Sequence, residues 1–192
     1  MRLATAFAIT LSLVACGSPE PPIIPPEPTP PPAVTTEGAV AIRLSRDLPT
    51  DLEATRALLR SDPLIDQLRE VDGIAPPVSA RTLSGTWGEP GAVRRLTLAD
   101  GHYVIERVLE NEPRRFRYQV WVFTNAAGQG VEQIVGEQRF LPLPDGGTRF
   151  EWDYDIVPAG PVAGFFIARR ASTIETYLSG GLERFAALAA GG

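Results

Sequence analysis

Residues 38–46 (GAVAIRLSR) alternate between apolar and polar side chains, the period-two pattern of a strand with one covered face. The period then changes. Residues 51–60 (DLEATRALLR) carry apolar side chains at helical spacing, with Thr50 placed as the N-cap. Residues 63–71 (PLIDQLREV) predict a second short helix with Pro63 in its first turn. Beyond a break from Gly73 to Pro77, strand-like runs return at 81–87, 92–98, 102–109, 115–123, 133–141 and 149–157. Turn sequences separate them: Gly88-Glu89-Pro90-Gly91, Asp100-Gly101, Asn111-Glu112-Pro113, Gly128-Gln129-Gly130 and Asp145-Gly146-Gly147. After Pro161 one long helix is predicted to about Ala189. Its stripe of Ile167, Ala171, Ile174, Leu178, Leu182, Phe185 and Leu188 recurs every third or fourth residue. The expected fold is α+β: a curved antiparallel sheet of about seven strands around a long C-terminal helix, with two short helices after the first strand. Short hairpins suffice for such a meander.

The alternation also assigns faces. In the last strand Phe150, Trp152, Tyr154 and Ile156 face inward, and Arg149, Glu151, Asp153 and Asp155 face outward. The hairpin at Asp100-Gly101 has two possible registers. A two-residue turn sets Arg94 opposite Arg107. A three-residue loop with Gly101 left-handed sets Arg94 opposite Glu106, Leu96 opposite Val104 and Leu98 opposite His102. Opposite charges across strands stabilise by ~0.2–1 kcal/mol and like charges cost, so the second register is expected. Carried across Asn111–Pro113, the same parity brings Phe116, Tyr118 and Val120 to the face of Arg94 and Glu106. The inner wall then holds a polar row, Arg94–Glu106–Tyr118, in an apolar lining. His102, at the mouth of the hairpin, reads as a solvent-edge histidine.

Composition narrows the chemistry. The net charge is −5, and the basic residues are all arginine, with no basic run. Nucleic acid is therefore not expected as a partner, because neutralising phosphates needs a concentrated positive surface. One cysteine and one histidine supply neither an internal disulfide nor a cysteine- or histidine-based metal cluster, and no cofactor is expected.

The N-terminus adds an address. Arg2 precedes an apolar stretch at 3–15, shorter than the ~20 residues of a spanning helix. It ends in Leu13-Val14-Ala15-Cys16, which resembles the bacterial lipobox. That resemblance implies a signal peptide at 1–15, cleavage before Cys16 and lipid on its sulfur. Gly17 rather than Asp then implies the periplasmic face of the outer membrane. Residues 16–36 read as a proline-rich tether. Its proline stretch from Pro19 to Pro32, extended at ~3.1 Å per residue, would hold the domain on the order of 40 Å from the bilayer. Residues 37–192 form the domain.

Within it, Gly91-Ala92-Val93-Arg94, the run from Leu96 to Gly101, Ile105-Glu106-Arg107, Tyr118-Gln119-Val120, Gly147-Thr148 with Glu151-Trp152, and Gly181-Leu182-Glu183-Arg184-Phe185 resemble the polyketide cyclase/dehydrase branch of the SRPBCC superfamily. The resemblance implies a helix-grip, START-like fold with an internal pocket for an apolar, lipid-like or polycyclic molecule. The residues expected to contact it are Arg94, Leu96, Leu98, Val104, Glu106, Tyr118, Val120, Trp152 and Tyr154. Arg94 and Glu106 either satisfy each other as a structural pair or orient the polar end of the ligand. Three functions stay open: a membrane-anchored binding protein, a cyclase- or aldolase-type enzyme with Glu106 or His102 as base and Arg94 stabilising an enolate, and a structural or assembly role in the envelope.

Overall fold

The computed structural model describes residues 19–22, 29–61 and 63–191. The apolar stretch, Cys16 and the middle of the proline-rich segment lie outside the described residues. Seven strands form one antiparallel sheet: β1 (Val40–Leu48), β2 (Pro77–Ser84), β3 (Val93–Leu98), β4 (Tyr103–Glu112), β5 (Arg115–Trp121), β6 (Val131–Pro142) and β7 (Thr148–Pro158). Their spatial order is β1-β7-β6-β5-β4-β3-β2. Three helices, α1 (Leu52–Ser61), α2 (Pro161–Arg169) and α3 (Ala171–Ala189), complete the fold. This is the expected α+β helix-grip arrangement. α3 lies against the inner face of the sheet. There Phe140 stacks on Phe150 at 5.1 Å, Phe150 meets Phe185 edge-on at 6.0 Å, and all three rings are fully buried.

Four local expectations need correction. Asp51, not Thr50, caps α1: its Oδ1 accepts from the Ala54 N–H at 2.8 Å, while the Thr50 hydroxyl pairs with that of Thr55. The second short helix is a single 3-10 turn, Leu64–Gln67, after which Leu68 is extended. It is drawn out because it packs under α3. A Cβ at Gly181 would stand 2.7 Å from Leu68, and the Arg184 Nε donates to the Gln67 carbonyl at 2.6 Å. The long helix is two helices, broken at Arg170 (φ −100°, ψ 1°). Tyr177 joins the buried stripe, while Leu188 is exposed. The second strand spans Pro77–Ser84 rather than 81–87. Proline is tolerated at the first residue of an edge strand, and Gly85, at φ +68°, ends the strand early. Trp87, freed from the strand, folds over Arg94.

The β4–β5 hairpin reaches the expected face assignment by another route. Its turn is Pro113-Arg114, with Glu112 opposite Arg115. That turn alone would send Tyr118 to the outer face. A bulge at Leu109, between the pairs Val108–Tyr118 and Glu110–Arg117, restores it to the inner one.

Candidate functional site

The sheet and the helices enclose a cavity of about 810 Å³. Its floor comes from β3 to β7: Leu96, Leu98, Val104, Glu106, Tyr118, Val120, Ile134, Trp152, Tyr154 and Ile156. Its roof comes from Ile167, Ile174, Tyr177 and Leu178 of α2 and α3. The lining residues that reach solvent gather at one end, on the loop after β5 (Ala126, Gln129, Gly130) and on α2 (Val162, Phe166), and so mark the mouth. Two local features open the space. At Val122 the chain turns through φ +58° and swings Phe123 back into the cavity wall. Gly136, opposite Tyr118 on one side and Tyr154 on the other, has no side chain, so Tyr118 lies flat across it.

The Asp100-Gly101 hairpin takes the register with Arg94 opposite Glu106 and Leu96 opposite Val104. Gly101 is at φ +82° and donates to the Leu98 carbonyl. Arg94 and Glu106 meet as a buried ion pair. Both guanidinium contacts, Nε at 2.7 Å and a terminal nitrogen at 2.6 Å, go to the same carboxylate oxygen, Oε2. Arg94 is held from behind by the Trp87 ring, 3.5 Å away. Oε1 receives neither guanidinium contact. Burial pushes the Glu106 carboxyl above the usual carboxylate range, and Arg94 offsets only part of that. Tyr118 Oη accepts from the Trp152 indole N–H at 2.9 Å, which leaves its own proton to donate. Burial first, then Tyr154 and Glu106, hold the Tyr118 hydroxyl well above its ordinary range, so it stays protonated.

Of the nine residues expected at the site, Leu96, Leu98, Val104, Glu106, Tyr118, Val120, Trp152 and Tyr154 line the cavity. Arg94 does not; it stands behind Glu106. Among the described residues no cluster of histidine, cysteine, aspartate and glutamate could hold a metal ion.

His102 departs from expectation. It is buried, not at a solvent edge, and the reason is the proline-rich segment. Residues 19–22 and 29–36 do not stand away from the domain as a spacer. They form a strap: 29–36 cross the outer face of the sheet, and 19–22 lie at the end of the β3–β4 hairpin. Its carbonyls are met one by one: Pro19 by His102 Nε2 at 3.0 Å, Thr29 by Trp121 Nε1 at 2.9 Å, Pro32 by Gln119 Nε2 at 3.1 Å and Ala33 by Gln133 Nε2 at 2.8 Å. Proline has no N–H, so the strap presents mainly acceptors, and each sheet partner is a donor. Apolar side chains on both faces of β4 and β5, including Tyr103, Ile105 and Trp121 outside, are the sequence signal that both faces are covered.

Residues 39–190 match the family model for polyketide cyclase / dehydrase and lipid transport proteins. The chain belongs to this family. Among solved structures, the crystal structure of Ara h 8.0201 is similar over 80% of this chain and 99% of that one, with a TM-score of 0.55 and 13% identity, and shows the same fold. Protein CV1439 from Chromobacterium violaceum is similar over 78% of this chain and 96% of that one, with 23% identity and a TM-score of 0.49. No curated protein matches the chain.

Proposed function

We propose that this family member is a membrane-anchored carrier, lipidated at Cys16 at the periplasmic face of the outer membrane, that holds one amphipathic small molecule of lipid-like or polycyclic type. The observation that carries this reading is the cavity. It has a continuous apolar lining interrupted at its floor by a carboxyl oxygen and a phenolic proton, the usual design of a small-molecule site. Glu106 Oε1 accepts from a hydroxyl or amine of the ligand, and Tyr118 donates to an oxygen beside it. A second reading is favoured by the raised Glu106 carboxyl: acid–base catalysis of the cyclase or dehydrase kind on the bound molecule.

Native mass spectrometry of the purified protein is expected to show a retained small molecule. Val104→Trp, which fills the cavity, should expel it while costing less than the ~1–3 kcal/mol of overpacking a filled core. Unfolding by Val104→Trp would mean that the space is packed core. A retained mass that changes on incubation would favour the enzyme. Labelled palmitate should enter the protein in cells and be lost in Cys16→Ser; label kept by that variant would refute the anchor.

A further inference from the structure

α2 carries an apolar surface that no described residue covers. Val162, Phe165 and Phe166 are 74%, 58% and 61% exposed. Scattered exposed apolar residues are ordinary, but three large ones together on one short helix are not. Val162 and Phe166 also belong to the cavity wall, so the patch is continuous with the mouth. Arg169 lies over the Phe165 ring at 5.6 Å, and Arg170 follows at the junction with α3, placing two positive charges at the patch edge.

A second observation concerns where the chain comes from. The strap reaches His102 at Pro19, beside the β3–β4 hairpin and at the mouth end of the sheet. Pro19 and Pro21 share a surface depression with Ala75, Ala126 and Ala127, and those three alanines also line the cavity. Two residues, Gly17 and Ser18, lie between Cys16 and Pro19, so the two are at most ~11 Å apart along the extended chain. The docked strap thus brings the anchoring end of the chain to the mouth instead of holding it away.

We infer that the protein rests mouth-down on a lipid bilayer, with Val162, Phe165 and Phe166 among the acyl chains and Arg169 and Arg170 among anionic headgroups. This rests on the anchor reading above. Apolar side chains of an interfacial helix enter the acyl boundary, and flanking arginines reach back to the headgroups. Glu70 and Asp100, which line the depression on the hairpin side, are repelled by the same headgroups, so the molecule leans on α2. A ligand then passes between bilayer and cavity without crossing water.

The test uses the full chain coupled through Cys16, its only thiol, to a maleimide-bearing lipid in phosphatidylethanolamine–phosphatidylglycerol vesicles. Coupling supplies the attachment chemically, so the result is separate from whether cells acylate Cys16, which palmitate labelling reads. Amide hydrogen exchange of Pro161–Arg169 is expected to slow at least about tenfold on the vesicles, as burial of one phenylalanine supports. The turns at 113–114 and 143–147, at the opposite end of the sheet, should be unchanged. Phe165→Asp should abolish the slowing without changing the melting temperature. Unchanged exchange in α2, or slowing at the opposite end instead, would overturn the inference. So would slowing that grows with protein concentration in the absence of vesicles, which would make a second copy of this chain the occupant of the patch.

Discussion

The two faces of the sheet solve the same problem in opposite ways. Both carry apolar side chains that must leave water. On the outer face, Tyr103, Ile105 and Trp121 are closed over by the chain's own strap, and Gln119, Trp121 and Gln133 donate to its carbonyls, while the Tyr103 hydroxyl stays unpaired among the described residues. Gln119 and Gln133, both fully buried, add a bond to each other at 2.6 Å. On the inner face the space between β3–β7 and the helices is left open, and Glu106 and Tyr118 on its floor are only half satisfied. A surface whose indole and amide donors are met by carbonyls of the same chain serves stability. A surface that keeps a carboxyl oxygen and a hydroxyl proton uncommitted has been kept for something from outside.

That contrast breaks most sharply at Trp121. Trp121→Ala removes a buried indole and the donor to Thr29, and it is expected to cost about 3–5 kcal/mol in denaturant unfolding. It should also make the strap susceptible to limited proteolysis at 29–36. A loss below about 1 kcal/mol, the size expected at an exposed site, would mean that the strap is not part of the folded unit.

The charged pairs on the two faces should respond to pH in opposite senses. Arg94→Met strands Glu106 in the interior and is expected to cost about 3 kcal/mol at neutral pH, the low end for a broken buried pair, because Glu106 can take up a proton instead. In the intact protein the folded Glu106 carboxyl titrates above its ordinary value of 4.5. As pH rises from that value the unfolded chain releases its proton first, so this residue's contribution falls until the folded carboxyl has also ionised. Glu137 on the outer face is the opposite case. Burial alone would raise it, but hydrogen bonds from Arg115 and Arg139 more than offset that and hold it low. Its stabilisation is present above the ordinary value and is lost as pH falls through the folded one. Stability measured across pH in Glu106→Gln and Glu137→Gln should lose slopes of opposite sign. Slopes of the same sign would refute the assignment.

What the sequence made legible follows the same division. The inner face could be read because it is governed by neighbours along the chain: alternation placed Phe150, Trp152 and Ile156, and charge pairing chose the Arg94–Glu106 register. Even the wrong turn at Asn111–Pro113 gave the right face, because the unforeseen bulge at Leu109 compensated. The strap could not be read this way. A proline-rich segment has the same composition whether it spans solvent or lies on a sheet, and only the distant donors at 102, 119, 121 and 133 decide between the two. The break at Arg170 was hidden for a related reason. No glycine or proline marks it, and the apolar stripe runs through it from Ile167 to Ile174 because both residues line one cavity.

The finest distinction between the faces rests on a single hydroxyl. In Tyr118→Phe the Trp152 N–H, buried and 2.9 Å from the lost oxygen, has no acceptor. An unsatisfied buried donor costs about 1–3 kcal/mol, but the site opens on a cavity that water can enter, so the loss should sit near the bottom of that range. The ring remains, still stacked on Phe116 at 5.8 Å and still flat over Gly136, so the shape of the cavity is preserved. If the hydroxyl proton is held for a ligand, Tyr118→Phe should weaken retention of the co-purified molecule about tenfold, since each ~1.4 kcal/mol of lost hydrogen bonding is one decade of affinity. Thermal melts and native mass spectrometry on the same sample separate the two effects. A lowered melting temperature with full retention would make the Tyr118–Trp152 bond a structural tie, like the glutamine pair on the other face, and would leave Glu106 Oε1 as the polar contact beside it.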